Sequence, residues 1–67
     1  MNIYLNSQPV VAGENVSLAE LLRSREIADK KGIAVAVNNV VITKKDWPDK
    51  ILQDNDKITI ITAIKGG

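Results

Sequence analysis

The sequence predicts a small two-layer α+β domain, a sheet of about five strands with one helix packed across one face. Two observations carry this. Short β-branched segments, separated by turn formers, occupy both ends of the chain and its middle. One stretch alone, residues 18–27, has helical periodicity. At 67 residues the chain is expected to be one domain. A core of this size supplies only roughly 3–5 kcal/mol of net stability.

Residues 1–5 alternate with period two: Met1, Ile3 and Leu5 on one face, Asn2 and Tyr4 on the other. Asn6-Ser7-Gln8-Pro9 reads as a turn, and Val10-Val11-Ala12 as the returning strand of a hairpin. The helix start is the strongest local signal. Ser17-Leu18-Ala19-Glu20 fits a capping box, in which the serine hydroxyl takes an orphan N–H and the glutamate reaches back. Val16 and Leu21 are spaced for a hydrophobic staple. Leu18, Leu21 and Leu22 then share one helical face, and the helix is expected over residues 18–27.

After a loop containing Lys30 and Lys31, read as a solvated face, Ile33-Ala34-Val35-Ala36-Val37 forms the next strand. Asn38-Asn39 suits a tight turn, because asparagine tolerates positive φ. Val40-Val41-Ile42 returns as a short strand. Thr43-Lys44-Lys45-Asp46 resembles a weaker capping box, so a short helical turn is expected, with Pro48 ending it by biasing Trp47 toward extended geometry. Trp47 is expected to plug one end of the core, and Ile51 and Leu52 to return to it. Asp54-Asn55-Asp56 turns the chain into the last strand, Lys57-Ile58-Thr59-Ile60-Ile61-Thr62-Ala63-Ile64. In that strand Ile58, Ile60 and Ile64 would face the helix.

Composition excludes several function classes. There are no cysteines and no histidines, which removes disulfides, thiol chemistry and the commonest general base and metal ligand. No catalytic residue is therefore expected, and no metal site: Asp54-Asn55-Asp56 lacks the glycine and distant glutamate of an EF-hand loop. A formal net charge of +1 gives no electrostatic footprint for nucleic acid or an anionic membrane. The apolar runs are too short to span a bilayer. The first residues lack the pattern of a signal peptide, so a cytoplasmic protein is expected, and Asn15-Val16-Ser17 is read as helix entry rather than a glycosylation acceptor.

A sheet covered on one face should be polar on the other. Here Tyr4, Ala34, Ala36, Ile61 and Ala63 all fall on the face away from the helix. An apolar outer face marks an interaction surface, so these five residues are the expected partner-docking face.

The element order, Asn38-Asn39, Lys44-Lys45-Asp46-Trp47, Asp54-Asn55-Asp56 and the last two residues, Gly66-Gly67, together resemble the ThiS-type sulfur-carrier family of thiamin (thiazole) biosynthesis, in the ubiquitin-like superfamily. The resemblance spans essentially the whole chain. It implies a β-grasp domain over residues 1–67, its sheet mixed, with a flexible Gly-Gly tail. It also implies that Gly66 and Gly67 thread into partner active sites, with no Cβ to obstruct them. The Gly67 carboxylate would be adenylated with MgATP on an E1-like adenylyltransferase of the ThiF type. It would then be converted to a thiocarboxylate with sulfur from a cysteine desulfurase persulfide, and would deliver that sulfur to a thiazole synthase of the ThiG type. The chain itself would bind no cofactor and act as a co-substrate. Asn55 stands where the family often has glycine, Thr43 where proline is common, and Lys65 where a small or apolar residue is common. The competing expectations are the small subunit of molybdopterin synthase, a ubiquitin-like protein modifier, and a non-covalent binding module.

Overall fold

The computed structural model describes residues 1–28 and 31–62. Five strands and one α-helix appear in the order β1 (Asn2–Leu5), β2 (Gln8–Val11), α1 (Leu18–Ser24), β3 (Ile33–Val37), β4 (Val40–Ile42) and β5 (Lys57–Thr62). A 3-10 helix, Lys44–Asp49, follows β4. The strands form one sheet in the order β2-β1-β5-β3-β4. β1 and β5 run parallel and the other neighbours antiparallel, so the sheet is mixed as expected. β5 lies at its centre, which suits the most continuous β-branched run in the chain.

The core lies between the sheet and α1. Ile3, Val35, Val37 and Ile58 from the sheet meet Leu18, Leu21 and Leu22 from the helix, and Trp47 and Leu52 complete the cluster. Ser17 and Glu20 form the capping box: the Glu20 N–H donates to Ser17 Oγ, and the Ser17 N–H donates to Glu20 Oε1, both at 3.1 Å.

Five expectations are corrected. β2 begins at Gln8 rather than Val10, so the hairpin turn is only Asn6-Ser7, with φ of 50° and 71°. Pro9 is tolerated inside β2 because that strand is a sheet edge and needs no donor on its outer side. The helix ends at Ser24, three residues early, where Glu26 turns left-handed at φ 60°. There the Glu26 N–H donates to Arg23 O (3.0 Å) and the Ile27 N–H to Leu22 O (2.8 Å). That pair of bonds is a Schellman stop with glutamate where glycine is usual.

Pro48 does not end the turn after β4; it lies inside the 3-10 helix, whose φ matches the proline ring. Burial of Trp47 overrides the extended bias, and its indole Nε1–H donates to Ile42 O at 2.9 Å. Thr43 caps no backbone amide there; its hydroxyl donates to Asp46 Oδ2 at 3.1 Å. Finally, Ile51 is 47% exposed, whereas Leu52 is buried. The segment pairs with the helix entry through Leu18 N–H to Lys50 O and Leu52 N–H to Val16 O, which turns alternate side chains in and out.

Candidate functional site

The strand register settles which side chains share the outer face. β5 pairs β3 with Ile61 opposite Ala34, Thr59 opposite Ala36, and Ile60 opposite Val35. Val35 is buried under α1, so Ala34, Ala36, Thr59 and Ile61 point away from the helix. Parallel pairing sets Tyr4 beside Lys57, on the same outer side. The structure thus brings together Tyr4, Ala34, Ala36 and Ile61, four of the five residues expected there. Ala63, Gly66 and Gly67 lie outside the described residues, as do Ile64 and Lys30.

Exposure divides these four. Ile61 is 50% exposed, Tyr4 is at 36%, and Ala34 is open to solvent. Ala36 is only 7% exposed. Its methyl is short, and the longer side chains of its register partners, Val41 and Thr59, rise on either side. Ala36 therefore supports this face but offers little surface to a partner.

Val41 and Val11 belong to the same face and were not foreseen. Val41 is opposite Ala36, and Val11 is opposite Asn2, which shares a side with Tyr4. Both are strongly exposed. The signal for Val41 was present: a two-residue turn at Asn38-Asn39 pairs Val37 with Val40, which sends Val41 to the side of Ala36. The apolar part of the face, Ile61, Ala34 and Val41, gathers toward the end at which β5 finishes. Lys57 and Tyr4 lie at the opposite end of β5.

Polar contacts fix the frame around this surface. Asn38 Nδ2 donates to Asp56 Oδ1 (2.9 Å), and the Lys57 N–H donates to Asn38 Oδ1 (3.0 Å). Asp56 Oδ2 accepts the Gln53 N–H (2.8 Å). At the other hairpin, Asn6 continues the β1–β5 ladder: its N–H donates to Ile58 O, and its Oδ1 accepts the Ile60 N–H, both at 2.8 Å. Both edges of β5 are thereby pinned where it starts. The Glu20 carboxyl, which belongs to the helix cap, is held below its ordinary range first by the Ser17 N–H. Among the described residues no cluster of acidic side chains is arranged to hold a metal ion. Among the described residues no helix is long and apolar enough to cross a membrane.

A mixed five-stranded sheet in this order, with one helix across one face, is the ubiquitin-like β-grasp fold. The crystal structure of the thiamine biosynthesis protein ThiS from Geobacter metallireducens superposes on it with a TM-score of 0.86, at 23% identity and covering 100% of both chains. A solution structure of a thiamine biosynthesis protein from the same organism gives 0.77 at 25% identity, covering 100% of this chain and 88% of that one. Residues 2–67 match the model of the ThiS family. The chain is 30% identical over 67 residues to the sulfur carrier protein ThiS of Escherichia coli (strain K12), covering 100% of both. The chain belongs to the ThiS family.

Proposed function

We propose that this chain is a sulfur carrier of thiamin biosynthesis, working as a cytoplasmic co-substrate through a thiocarboxylate at Gly67. The observation that carries this reading is the end-to-end match to the Escherichia coli sulfur carrier in a sequence closing on Gly66-Gly67. A carboxylate resists nucleophiles, because its charge repels them and oxide is a poor leaving group. On an E1-like adenylyltransferase of the ThiF type, a Gly67 carboxylate oxygen attacks the α-phosphorus of MgATP. The bond to the bridging oxygen breaks and pyrophosphate leaves. The terminal sulfur of a cysteine desulfurase persulfide then adds to the acyl carbon, and AMP leaves with the C–O electron pair. A thiol attacks the desulfurase sulfur of the resulting acyl disulfide, forming a disulfide and releasing the thiocarboxylate. A thiazole synthase of the ThiG type would then receive the sulfur.

This chemistry asks little of the carrier itself. A terminal carboxyl with a pKa of roughly 3.3–3.7 is already ionised at neutral pH, so no base is needed to activate it. A sequence without cysteine or histidine is consistent with that economy. The exposed patch of Ile61, Ala34 and Val41 supports the reading as a docking surface beside the end of β5.

The test is the intact mass of the protein after incubation with MgATP, the ThiF-type enzyme and sulfide. The expected result is the gain for one oxygen replaced by sulfur, localised to Gly67, and abolished when Gly67 is deleted. No gain, together with no ATP–pyrophosphate exchange, would overturn it.

A further inference from the structure

The β3–β4 ladder ends before β3 does. Its register runs Val37 to Val40, Ala36 to Val41 and Val35 to Ile42. Beyond Ile42 the chain turns away into the 3-10 helix, while β3 continues to Ile33. The two segments leave a fork. Its lining includes the buried Trp47 with Ile33, Val41 and Ile42, and the exposed Lys31 and Lys44 stand at its rim.

The backbone of Ile33 faces this fork. In an antiparallel strand, successive residues direct their N–H and C=O groups to alternate neighbours. The Asn38 N–H donates to Lys57 O at 2.8 Å, so even-numbered residues of this strand address β5. Val35, Val37 and Ile33 therefore address the β4 side. Val35 and Val37 find β4 there; Ile33 has no strand opposite it, and among the described residues no backbone hydrogen bond joins it to the segment after Ile42. Beside this donor and acceptor, unpaired among the described residues, the walls are largely apolar. Neither Lys31 nor Lys44 has a carboxylate within 4.0 Å among the described residues.

We propose that this fork receives a short extended segment of a partner protein, apolar at its centre and carboxylate-bearing on each side, paired through the backbone of Ile33. The mode is strand addition to an unfinished ladder: backbone bonds hold the guest, and side-chain pockets and charge select it. The rim lysines choose acidic flanks over basic ones. The proposal rests on the strand register and the lysines, not on the sulfur-carrier reading, and its failure leaves that reading intact.

The test uses the full isotope-labelled chain and three capped peptides: Asp-Val-Ile-Val-Asp, Lys-Val-Ile-Val-Lys and Asp-Val-Pro-Val-Asp. The first should shift the Ile33 amide resonance and slow its hydrogen exchange at millimolar concentration. It should bind roughly 5-fold tighter than the lysine peptide, as expected for exposed ion pairs. The proline peptide, which lacks the central donor, should not protect Ile33. A Lys31→Glu, Lys44→Glu double variant should reverse the charge preference while the rest of the spectrum stays in place. No change at Ile33, equal binding of the acidic and basic peptides, or protection by the proline peptide would overturn the proposal. So would an Ile33 resonance that moves on deleting residues 63–67 or on diluting the free protein. The fork would then belong to the chain's own end or to a second copy.

Discussion

Ser17 and Glu20 show how much one turn of helix depends on two side chains. The Glu20 carboxyl sits below its ordinary value of 4.5 because it accepts the Ser17 N–H and, secondarily, because of its hydrogen bonding with the Ser17 side chain. A carboxyl depressed in the folded state stabilises the fold fully above its ordinary pKa, and that contribution is lost as pH falls through the folded value. Glu20→Gln keeps the shape and removes the titration. Its urea midpoint should therefore lie below that of the parent at neutral pH and converge with it in acid; a constant offset at every pH would contradict this. At the other end of α1, Glu26 holds φ 60° with a side chain. Left-handed backbone costs a non-glycine residue about 1–2 kcal/mol, and glycine recovers part of that after its own entropy cost. Glu26→Gly should raise stability by roughly 0.5–1 kcal/mol in urea unfolding. A loss would show that the glutamate makes a stabilising contact that outweighs its backbone strain.

The β3–β4 hairpin separates turn geometry from turn chemistry, since Asn38 and Asn39 both have positive φ, at 51° and 71°. Asn38 also ties the turn to Asp56 and Lys57, whereas among the described residues no side-chain hydrogen bond engages Asn39. Asn39→Gly should leave the thermal midpoint unchanged or slightly higher, because glycine suits this turn position. Asn38→Gly should cost about 1–3 kcal/mol, since Asp56 is buried and would lose a partner. Equal losses from both would refute the distinction. This hairpin was legible in the sequence because its rules are local: alternation, two asparagines, alternation. The capping box was legible for the same reason. The end of α1 was not, because its left-handed stop falls on Glu26 and carries no glycine to announce it. The 3-10 helix through Pro48 was hidden as well. What holds it is the indole of Trp47 bonded to Ile42 and buried in the core, a tertiary contact that overrides the local preference before proline. Of the candidate site, the outer face followed from period two, while the cover over Ala36 depended on the sizes of its neighbours in β4 and β5.

At the scale of the molecule, β5 does two jobs with alternate residues. Ile58 is buried under α1, and Ile61, three residues on, stands half-exposed on the other face. Both are isoleucines in one strand, with the same strand propensity and the same hydrophobicity, so only the environment differs. A carboxylate at Ile58 would be desolvated in a small core with no partner, at a cost of several kcal/mol. That is comparable with the whole stability expected of so small a domain, roughly 3–5 kcal/mol. Ile58→Asp should therefore abolish the cooperative thermal transition. At Ile61 the new carboxylate keeps its water, and surface changes usually stay within about 0.5 kcal/mol. Ile61→Asp should hold its melting temperature within a few degrees while slowing ATP–pyrophosphate exchange with the proposed ThiF-type partner, because a charge would enter the apolar patch of Ala34 and Val41. Thermal unfolding and the exchange rate, measured on both variants beside the parent, separate the two roles. If Ile61→Asp unfolded as readily as Ile58→Asp, the outer face would be structural. If it exchanged at the parent's rate, that face would play no part in docking this partner.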